Sequence, residues 1–528
     1  MPESVFGWGG AEVALDATGT VTSVRHASAP GAYLSSLGEV EVWTRGGPVT
    51  WSSPEVALDV DEVEVVRRSG DLRLVVRHGF AAGWGLRVTL VNAGSAPRQL
   101  ERVQLAWRLP TDRPVWALTA GATGSFAVLP AGGSGPLLGA LLRLGAVQHA
   151  DAAGLEVGPV LLEPGARYVE QWHLDFHASP RAFDRTVAAG VPRRLDIGLD
   201  EVVTLTADED AALVLDEGLH AETVRDRLEL TASAAGRYGV ETRSARGVTR
   251  YEIGVAEPLE ATLADAASTL VAGPRTGAGT LRLADVDAAL VVQHGLARGL
   301  GPDDQIAAED GLDLFGSRLP EEGPFDPRTV AFLCGEHLRT ADPEPLAWAT
   351  RGVLSAARPE PGLGVAATRV CLARLVAGRS VAPVLDHLRA LVAEAAAGPA
   401  AGAAPTARRD QAALVELEVV TMPQSGPTPA GLLARTVALG GWLGAGLRGR
   451  AVPPLPLDEL GHLALVLALL PEPVSVELAR RWGAGAHELA RRARTEVLVR
   501  LGDERADGPD QHVVGPAHGW LVLAAVPT

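Results

Sequence analysis

Three side chains of the kinds that bind metal ions alternate along one stretch of the chain. His173, Asp175 and His177 lie in the segment EQWHLDFHASP. On a strand they would share one face, because successive side chains point to opposite sides. Histidine nitrogens and carboxylate oxygens are common zinc ligands. The spacing makes a metal site, and with it a metal-dependent hydrolase, one hypothesis. The simpler interpretation is a strand with one face in solvent, which shows the same alternation.

A second group of candidates is acidic. The segment from 299 to 326, GLGPDDQIAAEDGLDLFGSRLPEEGPFD, carries eight carboxylates, and Glu309, Asp310 and Asp313 stand at its centre. We predict a long loop between helices here, the kind of segment that often carries function. Paired carboxylates supply the acid and the base or nucleophile of glycoside hydrolysis. These three residues are therefore the candidate catalytic groups, and a solvated loop of an acidic protein is the alternative.

Two further groups contain histidine. Glu459 and His462 stand three residues apart in a predicted helix, a spacing that can place both on one face and bind metal in helix bundles. Surface or capping roles are the simpler interpretation. Near the C-terminal end, the segment QHVVGPAHGW holds His512, His518 and Trp520 without a known ligand spacing, so no role is assigned to it.

Composition excludes several classes of function. The chain of 528 residues has a formal net charge of −17 and contains no lysine, so its 47 basic residues are all arginine. Chemistry that needs a lysine, such as a Schiff base or a Walker A phosphate site, is excluded, and no cofactor is predicted. The negative charge disfavours nucleic acid as a partner. No apolar window is long enough for a membrane span, and no secretory signal precedes the strands, so we expect a cytoplasmic protein without membrane insertion.

The elements that would position these residues change character along the chain. The first part reads as strands with alternating apolar residues, as in WGLRVTLVNAG, where Leu86, Val88 and Leu90 face one way. Seven of the eleven tryptophans lie in this part, which short strands and turn residues mark as an antiparallel β-sandwich. A smaller block of strands follows it.

From about residue 283 the apolar period becomes that of a helix. Helix starts are signalled by Asp326-Pro327, Asp342-Pro343 and Thr428-Pro429, because proline is favoured at the first helical position. Short helices joined by short turns predict helical hairpins, arranged as a solenoid or an α/α toroid. The fold class is thus an α+β multidomain chain. We predict a large sandwich over 1–187, a small β-rich domain and linker over 188–275, and a helical-hairpin domain over 276–528.

The order of these blocks resembles that of several glycoside hydrolase families, which pair an N-terminal β-supersandwich with an α/α toroid. The segment LRVTLVNAGSAPRQLERVQLAWRLP resembles a recurring strand pair of such supersandwiches, and LLEPGARYVEQWHLDF resembles their closing strand. The resemblance implies a carbohydrate-active protein. It matches no catalytic motif, so it assigns no catalytic residue. Trp84 and Trp172 are the candidates for stacking against a sugar ring.

Three hypotheses about function remain open. The first is a glycoside hydrolase or a relative with a degenerate catalytic domain, whose partner is carbohydrate. The second is a scaffold whose helical domain binds a protein partner, which the small number of aromatic residues in the helical part favours. The third is the metal-dependent hydrolase. Two carboxylates about 5–10 Å apart in the helical domain would favour the first.

Overall fold

The structure of the chain is a computed structural model. It describes residues 4–111, 113–187, 190–206, 212–225, 227–245, 247–277, 279–320, 323, 325–397, 405–422, 428–444, 446–507 and 514–525. Strands fill its first half and helices its second half. This order confirms the α+β multidomain fold class that the change of period predicts.

The strands of the first part follow one another closely. They are β1 (Ser4–Trp8), β2 (Ala11–Leu15), β3 (Val21–His26), β4 (Ala29–Leu34), β5 (Ser36–Thr44), β6 (Gly47–Pro48), β7 (Glu55–Leu58), β8 (Glu62–Ser69), β9 (Leu72–Gly79), β10 (Trp84–Asn92), β11 (Arg98–Leu100), β12 (Arg102–Arg108), β13 (Val115–Ala120), β14 (Thr123–Val128), β15 (Leu137–Leu144), β16 (His149–Ala150), β17 (Gly154–Val157), β18 (Val160–Leu162) and β19 (Arg167–His177). The short helix α1 (Pro180–Asp184) follows.

Most of these strands belong to two large sheets. The first has the order β1-β2-β3-β5-β12-β17-β16, with β4 beside β3 and β6 beside β5. The second runs β13-β14-β15-β19-β10-β9-β8-β7 and is extended at the β13 edge by a strand from the helical part. Every strand pair in the two sheets is antiparallel, including the β9–β10 hairpin that the sequence predicts. The apolar faces of both sheets contribute to one shared core.

Alternation places the two predicted sugar-stacking residues in that core. Along β10 every second side chain is buried, beginning with Trp84, as expected for a strand with one face in the core. Trp172 on β19 is oriented in the same way. The side chains are 0% and 1% exposed, and their indole nitrogens donate to His78 and Glu170. Neither ring therefore offers a face to a ligand, which corrects their assignment as substrate-binding residues.

Two small sheets come next. Their strands are β20 (Asp196–Gly198), β21 (Val203–Thr206), β22 (Ala212–Leu215), β23 (Leu219–Val224), β24 (Arg227–Ala232), β25 (Gly236–Ser244) and β26 (Gly247–Ala256). One sheet has the order β20-β26-β25-β22 and the other β21-β24-β23. Their buried residues, Val240 and Ile253 among them, join the same apolar cluster as the helices. The small sheets thus share a core with the helical part.

The helical part begins directly after β26. Its elements are α2 (Leu259–Val271), α3 (Val286–Arg298), α4 (Pro302–Gly316), α5 (Pro327–Thr340), α6 (Pro343–Ser355), α7 (Leu363–Val376), α8 (Ala382–Ala397), α9 (Pro405–Thr421), α10 (Ala430–Trp442), β27 (Arg450–Ala451), α11 (Leu457–Ala468), α12 (Glu472–Trp482), α13 (Ala486–Asp507) and α14 (Pro516–Ala525). Asp326 and Asp342 cap α5 and α6 as predicted, since each side chain accepts hydrogen bonds from the first turn.

Six of these helices contact one another in a closed cycle. The pairs in contact are α3 with α5, α5 with α7, α7 with α9, α9 with α11, α11 with α14, and α14 with α3. Further helices pack against members of this cycle, for example α6 against α5 and α7. Within the described part of the chain no single helix is long and apolar enough to cross a membrane, although α11 and α12 together pass that test as a pair bent by 118°.

The acidic segment from 299 to 326 is largely a helix, which corrects its prediction as a loop. Pro302 begins α4, and Ala308 and Leu312, one turn apart, are both fully buried. Proline in the first turn and an apolar pair at i and i+4 favour a helix that packs on its neighbour, here α3. Glu321 and Glu322 of this segment lie outside the described residues.

The helical part is joined to the large sheets by backbone and side-chain contacts. β27 pairs with β13 through Arg450 and Ala451, so a strand from between two helices extends the second sheet. On α12, the Arg481 guanidinium donates to the carbonyl oxygens of Gly133 and Gly135 in the β14–β15 connection. These contacts fix the helices relative to the sheets.

Candidate functional site

The first turns of α3, α5 and α11 meet and bring three charged side chains together. Asp287 lies in the first turn of α3, and its two carboxylate oxygens accept hydrogen bonds from Nη1 of Arg328 at 3.1 and 3.0 Å. Arg328 lies in the first turn of α5, and Asp458 in the first turn of α11. The helix starts thus place two carboxylates beside one guanidinium.

The separation of the two carboxylates follows from their shared partner. The Nη1 atom of Arg328 lies 3.0 Å from Oδ2 of Asp287 and 4.0 Å from Oδ1 of Asp458. The sum of these distances, 7.0 Å, is the largest separation that the two oxygens can have. In retaining glycosidases the two catalytic carboxyl groups are separated by less than this limit. In inverting glycosidases only the shortest separations fall below it.

Burial changes the acidity of one carboxylate. The Asp287 side chain is 5% exposed, and this burial raises its pKa to about 6. The charge of Arg328 opposes the rise, while Asp285, Asp326 and Asp458 add to it. The Asp458 side chain is 33% exposed and so retains more contact with water. A carboxyl group with a pKa of about 6 beside a second carboxylate is an arrangement that suits general acid–base catalysis.

A tryptophan from α14 holds Asp458 in place. The Nε1 atom of Trp520 donates a hydrogen bond of 2.6 Å to Oδ1 of Asp458. The ring lies 5.5 Å from the Arg328 guanidinium carbon and is 2% exposed, so it positions charged groups and does not face solvent. Next to it, Gly519 allows the α14 backbone to approach Asp287, since a Cβ there would lie 2.1 Å from Oδ1 of Asp287.

Beneath this cluster lies a fully buried carboxylate. Glu416 of α9 accepts hydrogen bonds from the backbone N–H groups of Gly362 and Val365, both at 2.8 Å, and thereby caps the N-terminus of α7. The Nε2 atom of His462 lies 2.8 Å from the same carboxylate, and its ring packs against Trp520 at 4.9 Å between centroids. Glu416 and His462 therefore connect α9, α7 and α11 to the tryptophan that orients Asp458.

Arginines form the outer edge of the site. Arg409 approaches Asp458 at 3.6 Å with a side chain 54% exposed, and Asp326 is 52% exposed. Arg408 pairs with Glu459 and lies over the Trp442 ring at 4.2 Å. This edge gives the cluster a side that is open to solvent and carries positive as well as negative charge.

The predicted metal residues lie elsewhere. His173, Asp175 and His177 occur on β19, and Asp175 accepts a hydrogen bond from Nε1 of Trp8 at 3.2 Å. The ring of His177 packs against Phe183. Among the residues that the structure describes, no group of three histidine, cysteine or acidic side chains is placed to hold a metal ion. The metal-dependent hydrolase therefore gains no support from the geometry.

The predicted catalytic carboxylates do not join the cluster. Glu309 and Asp310 are exposed on α4, and Asp313 pairs with Arg339, which also binds the buried Glu336. Their catalytic role stays a prediction. The sequence did single out Glu459, His462 and Trp520, which border the cluster or lie in it. Asp287 and Arg328 were missed, because they are separated by 41 residues and no local pattern joins them.

Comparisons with known proteins support the architecture. No protein-family model matches the sequence, and no curated protein gives a significant match. A solved structure described as a polysaccharide lyase superposes with a TM-score of 0.68 at 12% identity, covering 92% of each chain. The chain therefore has the fold of that protein, which confirms the carbohydrate-active-enzyme-like architecture that the order of blocks predicts.

Two other solved structures resemble this chain too weakly to indicate a shared fold. The periplasmic domain of Thermotoga maritima YidC matches 35% of the chain with a TM-score of 0.23 and 14% identity. A family 81 glycoside hydrolase from Clostridium thermocellum spans 98% of this chain and 84% of its own with a TM-score of 0.20 and 8% identity.

Proposed function

We propose that the protein cleaves glycosidic bonds in a polysaccharide at the cluster of Asp287, Arg328 and Asp458. The observation that carries the proposal is a pair of carboxylates beside one arginine nitrogen, with oxygens at most 7.0 Å apart, where three helix starts meet. The fold shared with a polysaccharide lyase supports a carbohydrate as the substrate.

Hydrolysis assigns a separate role to each carboxylate. Asp287, whose pKa is raised to about 6, is the acid that protonates the oxygen of the leaving sugar. Asp458 is less buried and acts on the opposite side, either as a base that takes a proton from water or as the nucleophile. Arg328 stabilises the charge of Asp458 and keeps both carboxylates in place. The exposed edge beside Arg409 is the side from which substrate enters.

Elimination is a second candidate, and the arginines favour it. Arg328 and Arg409 can pair with the carboxylate of a uronic acid, and such pairing acidifies the neighbouring C–H group. A base then removes that proton, the electron pair forms a C=C bond, and the glycosidic oxygen leaves with a proton from an acid such as Asp287. The fold neighbour is itself described as a polysaccharide lyase.

One assay separates the two reactions. The purified protein is incubated with a panel of neutral and uronate-containing polysaccharides, and new reducing ends and ultraviolet absorbance are both followed. Hydrolysis yields reducing ends alone, whereas elimination also yields an unsaturated sugar that absorbs in the ultraviolet. Asp287→Asn should abolish either activity, and Asp313→Asn, on the exposed face of α4, serves as the matched control.

A chain with a degenerate catalytic domain would give a different result. The same ion pairs would then only hold helices together, so wild type would produce neither signal on any polysaccharide. That outcome would overturn the proposal and leave the scaffold hypothesis, with a protein partner on the helical part, as the one to test. Loss of activity in the Asp313→Asn control alone would instead point to the acidic residues of α4.

A further inference from the structure

A cavity of about 570 Å³ lies between the large sheets and the helical part, in a different place from the cluster of helix starts. Its lining includes Trp8, His26, Asp175, Phe176 and Arg481. These residues come from β1, β3, β19 and α12. The proposed glycosidic chemistry uses none of them, and a volume of this size accommodates a small ligand.

One wall of the cavity is aromatic. The Phe176 ring is 4.7 Å from the His26 ring and 6.4 Å from the Trp8 ring, measured between centroids. All three rings are partly exposed. Tyr33 supports Phe176 from the core with an edge-on contact at 4.9 Å and is itself fully buried. The cavity thus has an aromatic wall that is held in place and accessible.

Polar groups at this wall have unused hydrogen-bonding capacity. Oδ1 of Asp175 accepts from Nε1 of Trp8 at 3.2 Å and from the Phe176 N–H at 2.8 Å. Within the described residues Oδ2 makes no hydrogen bond. Nδ1 of His26 accepts from the Ser28 N–H at 3.2 Å, so in the neutral ring Nε2 carries the proton and is a donor. An acceptor and a donor therefore stand beside the rings.

Arg481 brings positive charge to the lining of the cavity. Arg481 donates to the carbonyl oxygens of Gly133, Gly135 and Ala178, and no carboxylate in the described part of the chain pairs with it. Behind the aromatic wall, Arg113 is 3% exposed and stacks on Tyr33 at 4.4 Å. Its Nε and Nη1 atoms have no hydrogen-bond partner among the described residues. Among the described residues, no acidic side chain pairs with either cation.

We propose that this cavity is a second carbohydrate-binding site, which holds one pyranose ring. The apolar face of a pyranose packs against aromatic rings, and its hydroxyl groups both donate and accept hydrogen bonds. Trp8 and Phe176 provide the stacking surface, Asp175 accepts from a hydroxyl group, and Nε2–H of His26 donates to another. Arg481 adds affinity where the sugar carries a carboxylate. The proposal goes beyond the cleavage site and does not depend on it.

Binding can be measured on an array of neutral and uronate-containing oligosaccharides, followed by titration of the best ligand. Trp8→Ala should weaken binding by about tenfold or more, because it removes part of the stacking surface and the donor that orients Asp175. Asp175→Asn keeps the size of the side chain and should also weaken binding. The control Trp43→Ala removes a partly exposed tryptophan of the same sheet, at a site where it packs under Arg102, and should leave affinity unchanged.

Two further arms make the result decisive. Preference for uronate over neutral oligosaccharides would assign a role to Arg481, and equal binding would assign recognition to stacking and hydroxyl groups. In the Asp287→Asn background, Trp8→Ala should still weaken binding, so failure of the cleavage proposal would leave this site intact. The proposal is overturned if wild type binds nothing on the array, or if folded Trp8→Ala and Asp175→Asn bind as well as wild type.

Discussion

A single nitrogen of Arg328 donates to both carboxylate oxygens of Asp287, at 3.1 and 3.0 Å, and thereby joins the first turns of α5 and α3. The pair is not a simple surface ion pair, because the Asp287 side chain is 5% exposed and Arg328 is 22% exposed. Burial outweighs the attraction of the guanidinium and leaves the pKa of Asp287 raised, to about 6. The relationship therefore has consequences for both stability and chemistry.

The raised pKa predicts a pH dependence of stability. Between the ordinary value of 3.8 and about 6, the folded protein binds more protons at Asp287 than the unfolded chain. The contribution of this group to the free energy of unfolding therefore falls as pH rises through that window. Urea unfolding across it should show this decline in wild type and a flatter profile in Asp287→Asn. The control Asp313→Asn should follow wild type, and parallel profiles for all three proteins would contradict the shift.

The close approach of α14 to Asp287 predicts that Gly519 tolerates no side chain. In Gly519→Ala the new Cβ would lie 2.1 Å from Oδ1 of Asp287, so the carboxylate or the helix must move. We expect a loss of about 1–3 kcal/mol in unfolding free energy, typical of overpacking. Gly502→Ala in α13 is the matched control, since its Cβ meets nothing within 4 Å. That helical substitution should stabilise by roughly 0.5–1 kcal/mol. Equal effects of the two substitutions would show that α14 does not press on Asp287.

Strand patterns predicted the large sheets well. Leu86, Val88 and Leu90 do face the core, because a strand with one buried face must alternate with period two. The same alternation places Trp84 in the core, and Trp172 shares the apolar face of β19 with Leu174. Their burial could therefore have been predicted from the spacing, whereas tryptophan abundance alone suggested sugar stacking.

In the helical part, sequence patterns predict local features but not the contacts between distant helices. Proline and capping residues predicted the starts of α5 and α6, since these signals act within one turn. The start of α4 was missed because acidic residues obscured its buried pair, Ala308 and Leu312. The convergence of Asp287, Arg328 and Asp458 depends on the closed cycle of helices, and no residue near any one of them encodes it.

The acidity of Asp287 also predicts a pH profile for cleavage. If the protonated group is the general acid, the rate should fall as pH rises through about 6. Asp287→Asn should remove the activity, and Asp458→Asn should lower it by several orders of magnitude with little change in fold. Rates measured from pH 4 to 9 on a cleaved polysaccharide test this expectation. A cleavage rate that stays constant as pH rises through about 6 would show that another group donates the proton.

The buried carboxylate Glu416 predicts a large effect on stability at a distance from any substrate. Glu416 is 0% exposed. Glu416→Ala leaves the N–H groups of Gly362 and Val365, and the ring of His462, without the carboxylate that they contact. We expect a loss of about 3–5 kcal/mol in unfolding free energy, as for removal of one partner of a buried pair.

The matched control for that change is Glu477→Ala. Glu477 pairs with Arg480 on the solvent-facing side of α12, and its removal should change the free energy of unfolding little, since solvent screens such pairs. Urea unfolding of both variants measures the difference. Because His462 packs on Trp520, and Trp520 binds Asp458, Glu416→Ala should also alter the near-ultraviolet circular dichroism of the tryptophans, whereas Glu477→Ala should not. A Glu416→Ala protein as stable as its control would mean that the α7 N-terminus does not need this cap.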